Sequence, residues 1–375
     1  MRLGRLREAK TSDHNTNQQY TAPATRRLVM KGDSMEALKV FSEHLIAHPK
    51  LMPVRKIIQG YWPTERGPAE DIDHFLVYGH TRTGKTAYAK DLVKKHPRRS
   101  EAEADNIPVI WFRAPMPFTG KELYIQALRA YGAPAPSEAM DVTEKLHKVF
   151  VERSTEGALK RRLFHLAEQC STRVWIIDDI QHAAYGRGTE QENLDRIKHL
   201  ADEAGVMLIL MGTFEAVTFF GLNGQLTGRF RPVRLDRYAY DSMNPDSIES
   251  RLWKQVLAAL DDRLPFEQRS HLCDHAGVLF RYTLGLIGLL KPLLRRCLRH
   301  AIDDRHKALA IDLIDQYRLP DRQLAELEEK LLVEEARDKP SSEQQHEEAV
   351  SLGSRRASKP AKPKPRRECG SQALA

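Results

Sequence analysis

The first residues of the chain, 1–24 (MRLGRLREAKTSDHNTNQQYTAPA), are polar and show no hydrophobic period. From Ser34 onward a pattern begins: Met35, Leu38, Phe41, Leu45 and Ile46 recur at helical spacing and predict an amphipathic helix over 34–48. A second short helix is expected over 54–62, followed by a loop over 63–69. Short apolar runs then alternate with helical patterns. Strands are predicted at 74–78 (HFLVY), 109–112 (VIWF), 173–177 (RVWII) and 206–211 (VMLILM), with a short fifth at 233–235. Helices are predicted after Gly84 as far as Pro97, and over 120–131, 156–170 and 190–204. Strands that are apolar on both faces and separated by helices imply a parallel sheet covered on both sides. From Pro245 to Tyr317 only helical patterns remain, and 321–335 forms one charged helix. After Pro340 the chain is rich in Ser, Pro, Lys and Glu and has too little apolar surface to fold. No internal repeat is visible.

The expected organisation is a disordered N-terminus over 1–24, an N-terminal helical segment over 25–70 and an α/β core over 71–238. A helical lid follows over 239–320, then a charged helix and basic tail over 321–375.

Charge alters this picture little. The formal net charge is +8, but Arg355, Arg356, Lys359, Lys362, Lys364, Arg366 and Arg367 crowd into the tail, offset nearby only by Glu368. The folded part is near neutral, so the basic balance alone does not argue for a nucleic-acid surface on it. Cys170, Cys273, Cys297 and Cys369 have no metal-ligand spacing and read as reduced thiols. No signal-peptide pattern and no apolar run near the ~20 residues of a membrane span is present. The most apolar stretch, 284–294, is interrupted by Lys291 and Pro292. A soluble, cytoplasmic protein with no membrane partner is expected.

The chemistry sits between the first strand and the helix after it. Gly79-His80-Thr81-Arg82-Thr83-Gly84-Lys85-Thr86 fits the phosphate-binding pattern G-x-x-x-x-G-K-[ST] without mismatch. Gly79 and Gly84 let the backbone curl so that its amides point at phosphate oxygens, and the dipole of the following helix faces the same anion. Lys85 supplies charge to the β- and γ-phosphates, and the Thr86 hydroxyl is a Mg²⁺ ligand. A second motif is independent of the first: Val174-Trp175-Ile176-Ile177-Asp178-Asp179 is an apolar strand ending in two carboxylates. Beside the P-loop strand it would bring Asp178 to the Mg²⁺ ion, with Asp179 orienting or deprotonating water. Glu is usual at that second position, and Asp is one methylene shorter, which leaves binding intact and bears on the hydrolysis rate. Thr213, ending a strand between the two motifs, is a candidate γ-phosphate sensor. In Gly228-Arg229-Phe230-Arg231, after a loop region at 221–227, Arg229 is the candidate to reach a neighbouring subunit's nucleotide, with Arg231 in reserve. An exposed arginine making only surface pairs is the competing reading.

Taken together these residues resemble the TnsC/TniB family of AAA+ transposition ATPases, to which MuB-like proteins are related, over about 35–300. The landmarks are Met52-Pro53-Val54-Arg55, GHTRTGKT, WIIDDIQHA with its specific Ile180-Gln181-His182, LMGTFEA, LTGRFRPVRL, and a lid segment from Gly285 to Gly288. Asp179 for Glu departs from the pattern; the arginine-rich tail and an insert around 140–156 have no counterpart in it. The resemblance implies an α/β P-loop NTPase fold of the AAA+/ASCE type, with a five-stranded parallel sheet and a small all-helical lid. It also implies ATP and Mg²⁺ as ligands and assembly into a ring or filament on double-stranded DNA. Transposase and target-selector proteins would be the partners. Phosphate-directed DNA contacts would come from the loop Pro117-Phe118-Thr119-Gly120-Lys121, with Thr119 and Lys121 as candidates; a helix cap at Thr119 and a solvated Lys121 is the plainer reading. Competing functions are a helicase loader or replication initiator, a STAND-type switch, and a P-loop kinase.

Overall fold

The computed structural model describes residues 34–337 apart from 44, 47, 69–71, 101–104, 133–154, 222–227 and 267. The expected N-terminal disorder and the basic tail lie outside the described residues. So do most of the insert at 140–156 and all but the first residue of the loop at 221–227.

Strands β1 (His74–Tyr78), β2 (Val109–Arg113), β3 (Val174–Asp178), β4 (Met207–Gly212) and β5 (Phe230–Arg234) form one parallel sheet. Their order is β2-β3-β4-β1-β5. The strand expected between the two motifs, β4, does lie there, so the strand carrying Asp178 is one place removed from the P-loop strand and not directly beside it. Both β3 and β4 are buried along their whole length, so nothing in their apolar patterns could rank them in the sheet. The fifth strand also starts earlier than expected. It is an edge strand whose Arg231, Pro232 and Arg234 are exposed, and an edge tolerates a proline that a central strand would reject.

Alternating residues send their side chains to opposite faces. Phe75, Val77, Val174, Ile176, Ile209 and Met211 pack with Tyr88 and Leu92 of helix α3 (Lys85–Lys95) and with Leu51, Val54 and Ile58 of α2 (Leu51–Gly60). Leu76, Ile110, Trp175, Ile177, Leu208 and Leu210 pack on the other face. Their partners are α4 (Gly120–Ala130), α5 (Glu156–Gln169), α6 (Glu190–Glu203) and α7 (Phe214–Gly221). With both faces covered, the chain has an α/β P-loop NTPase fold in which an extra strand stands between the loop strand and the carboxylate strand.

The first helix, α1 (Ser34–Glu43), belongs elsewhere. Phe41, with Ile46 just beyond the helix, joins the core of the C-terminal helices α8 (Ile248–Asp261), α9 (Ala276–Thr283), α10 (Ile287–Asp303) and α11 (Ile311–Tyr317). Met35, expected on the packed face, is 70% exposed, since Ala37 and Phe41 carry that face instead. The helical core is built around Trp253, Leu290, Leu294 and Cys297, all fully buried. A last helix, α12, runs over Asp321–Arg337, and a separate compact unit begins at Glu326. Among the described residues no single helix is long and apolar enough to cross a membrane.

Two histidines are locked in neutral form. His74 on β1 accepts from the Leu208 amide through Nδ1 at 3.1 Å, and His48 pairs with the Tyr238 hydroxyl at 2.8 Å. Burial, aided by the Lys50 charge at His48, pushes both down to about 4. Unfolded histidine titrates near 6.5, so between these values the unfolded chain binds the extra protons. Their contribution is therefore complete above about pH 6.5 and is lost as the pH falls toward 4. Urea denaturation should show stability falling by up to about 2 kcal/mol per histidine from pH 7 to pH 5, with a shallower slope in His74→Gln.

Candidate nucleotide site

The P-loop turns off the C-terminal end of β1. Gly79 has φ 150°, and a Cβ there would collide with the carbonyl oxygen of Leu235, the residue following β5. Gly84, at φ 111°, is the N-cap of α3. Between them the loop closes around Lys85, which is only 8% exposed although it is a cation. Its Nζ donates to the carbonyls of Gly79 and His80 at 2.8 and 2.6 Å and reaches Thr83 Oγ1 at 3.5 Å. The Thr83 hydroxyl donates to the His80 carbonyl at 3.0 Å, and the His80 ring sits edge-on to Phe214. Thr81 and Arg82 are exposed at the tip, Arg82 in the left-handed region.

β3 delivers Asp178 to the same place. Its side chain is buried; Oδ1 accepts from the Asp179 amide at 3.0 Å, while Oδ2 has no hydrogen-bond partner. Burial raises its pKa above the usual carboxylate range. The Thr86 hydroxyl opposes that rise, the Asp179 charge adds to it, and the Asp179 amide and Lys85 counter it. Two of the groups acting on Asp178, Thr86 and Lys85, are thus P-loop residues that would share a nucleotide with it. Because β4 lies between β1 and β3, its end brings Thr213 into the gap, 7% exposed and with Oγ1 likewise unpartnered. Leaving a buried oxygen unsatisfied costs about 1–3 kcal/mol, more for a charged group. Two such oxygens at the C-terminal ends of β3 and β4, in the sheet whose β1 carries the P-loop, fit a magnesium nucleotide, with Thr86 and Asp178 the residues able to hold the metal.

Asp179 follows at φ 56°, ψ 38°. Left-handed backbone is most readily taken by Asn and Asp among residues with a side chain, a local reason for the shorter acid at this position. Its carboxylate lies 3.5 Å from Arg113 Nε at the end of β2 and 3.5 Å from Gln181 Nε2.

Other candidates lie apart. Arg229 precedes β5 at the N-terminal ends of the strands, the end opposite the P-loop, and pairs with Asp202 of α6. Arg231 bonds Asp73 at 2.9 Å and the Tyr61 hydroxyl at 2.7 Å. Thr119 N-caps α4, accepting from the Glu122 amide at 3.1 Å, and Lys121 is half-buried. Their loop does leave the sheet beside Asp178: the Ala114 amide donates to the Asp178 carbonyl at 2.8 Å, and His182 Nδ1 is 3.2 Å from the Ala114 carbonyl.

Sequence reasoning missed how the helical part grips the loop. The Gly288 amide donates to the Arg82 carbonyl at 2.8 Å, and a Cβ on Gly288 would lie 2.7 Å from the Arg82 Cβ and carbonyl oxygen. His48 was missed too: its Nε2 is unpartnered and would lie 3.4 Å from a Cβ at Gly84. The glycines at 285 and 288 stood out in the chain; a lone histidine in a loop gave no signal.

A family model described as Bacterial TniB protein matches residues 39–240, more than half of the chain. The chain belongs to the TniB family. No curated protein matches it. Among solved structures, this TniB-family chain is similar to the ORC1 protein of Aeropyrum pernix in complex with DNA, at 14% identity and TM-score 0.48 over 78% of this chain and 68% of that one. It is similar also to a Walker-type ATPase of Pyrococcus abyssi, at 12% identity and TM-score 0.45 over 82% and 75%. Domain III of the Thermotoga maritima replication initiation protein DnaA matches at 11% identity and TM-score 0.45 over 75% and 97%.

Replacing Gly288 by Ala forces the start of α10 off the P-loop. Chemical denaturation should show a loss of roughly 1–3 kcal/mol, the usual cost of overpacking.

Proposed function

We propose that this TniB-family chain is an ATP- and Mg²⁺-dependent ATPase that assembles on double-stranded DNA and regulates transposition. The single observation that carries the nucleotide part is the P-loop closed around Lys85 together with buried Asp178, which feels Thr86 and Lys85 and whose Oδ2 has no hydrogen-bond partner. Gly79, His80, Thr81, Arg82, Thr83 and Gly84 supply the amide cradle, and Lys85 exchanges carbonyl partners for phosphate oxygens. Bound Mg²⁺ would neutralise β- and γ-phosphate charge, held by Thr86 and Asp178. Asp179 accepts a proton from water as the water oxygen bonds to the γ-phosphorus and the bond to the bridging oxygen breaks, releasing ADP and phosphate. Thr213 orients that water.

Arg229 serves the neighbouring copy. Its partner within the chain is Asp202, at the strand ends opposite its own P-loop, which supports a role in trans rather than in cis. Family membership supports DNA, transposase and target-selector partners. Thr119 and Lys121 stand at the start of α4, after a loop whose Ala114 is bonded to the Asp178 strand. Thr119 Oγ1 also serves as the cap of α4.

Lys85→Ala should weaken fluorescent-ATP binding by ~100-fold or more, removing the charge-assisted contacts. Asp179→Ala should bind within about threefold of the parent chain yet lose ~10²–10⁴ in phosphate release, the range of general-base catalysis. Arg229→Ala should abolish the dependence of turnover on protein concentration; hydrolysis that is first order in chain and indifferent to this change contradicts the shared site. Electron microscopy with linear duplex should show rings or filaments with ATP and none with ADP. Monomers in both states would turn the assignment toward a P-loop kinase or switch.

A further inference from the structure

Gln181 is half-buried in the 3₁₀ turn Ile180–Tyr185 that follows the acid pair. Its side-chain amide spans two groups of the candidate site. Oε1 accepts from the Thr213 amide at 3.3 Å, and Nε2 donates toward Asp179 Oδ1 at 3.5 Å, the outer limit of a hydrogen bond. This orientation alone gives each neighbour a complementary partner, since a backbone N–H needs an acceptor and a carboxylate needs a donor. The room for it comes from Gly212, where a Cβ would meet Ile180 Cγ2 at 3.0 Å and Gln181 Oε1 at 3.1 Å. The turn itself is fixed by fully buried Ile180 and by His182 on the Ala114 carbonyl.

We propose that Gln181 is a positioning residue for hydrolysis, resting on the ATPase reading above: it holds Asp179 and the end of β4 as one unit. Asp179 has a shorter reach than glutamate and leaves the chain from a left-handed residue, so its carboxylate needs guidance from neighbours. Arg113 guides one oxygen, Gln181 the other. The Thr213 contact registers the carboxylate against the strand end that faces the phosphate. A misplacement of ~1 Å at a reacting group costs about 10²-fold in rate, which is the scale open to such a residue.

A purely structural role would be to satisfy the Thr213 amide, and glutamate does that equally well. Gln181→Glu keeps an acceptor for that amide but turns the donor facing Asp179 into a like charge. With the full chain, duplex DNA and Mg·ATP, Gln181→Glu should lower kcat by about tenfold or more, while the Kd for fluorescent ATP stays within about twofold. Gln181→Leu, of similar size, should show the same split, and thermal unfolding of Gln181→Glu, which keeps the acceptor for the Thr213 amide, should match the parent. Parental kcat in Gln181→Glu would overturn the inference, as would a loss confined to ATP affinity. Failure of the parent chain to bind ATP would instead contradict the ATPase reading, so the two failures are told apart.

Discussion

A buried ammonium governs this site. Lys85 is removed from water at the start of α3, where the helix's own dipole disfavours a cation, and it is stabilised there by carbonyl oxygens of the loop it terminates. Hydrogen bonds to neutral carbonyls only partly replace hydration. A phosphate oxygen would add an anion beside Lys85 to the charge of Asp178, and the loop amides and helix dipole favour that same anion. The same logic extends to Asp178 Oδ2 and Thr213 Oγ1, whose missing partners are of the kind a magnesium nucleotide supplies.

The sheet order turns three separate motifs into one site. β4 between β1 and β3 sets Thr213 between the P-loop and Asp178, and the register of β2 on β3 sets Arg113 beside Asp178 and against Asp179. On the other side Gly288 lies against Arg82 by backbone alone, with no room for a side chain. The helical region therefore touches the phosphate loop at its exposed tip.

What the sequence revealed, and what it hid, follows from the range of each interaction. The P-loop and the strand ending in Asp178 are local patterns, so their residues could be named before any fold was known. The place of β4 is a long-range fact: VWII and LILM are equally apolar, and neither says which strand is its neighbour. β5 was shortened because Arg231, Pro232 and Arg234 belong to an exposed edge and carry no apolar signal. Phe41 showed helical periodicity, but periodicity does not say which core receives the face, and it entered that of the C-terminal helices. His48 was silent for a like reason, since one polar residue in a turn has meaning only through its spatial neighbours; Gln181 stood out in the landmark Ile180-Gln181-His182, but that run gave it no role.

The central claim is that the loop around Lys85 is a site for a magnesium nucleotide. Calorimetric titration of ATP into the ligand-free chain tests it most directly, run once with magnesium and once with a chelator. Saturable binding near one nucleotide per chain, markedly weaker under chelation, is the predicted result. An absence of heat under both conditions, with the chain folded by circular dichroism, would contradict the account.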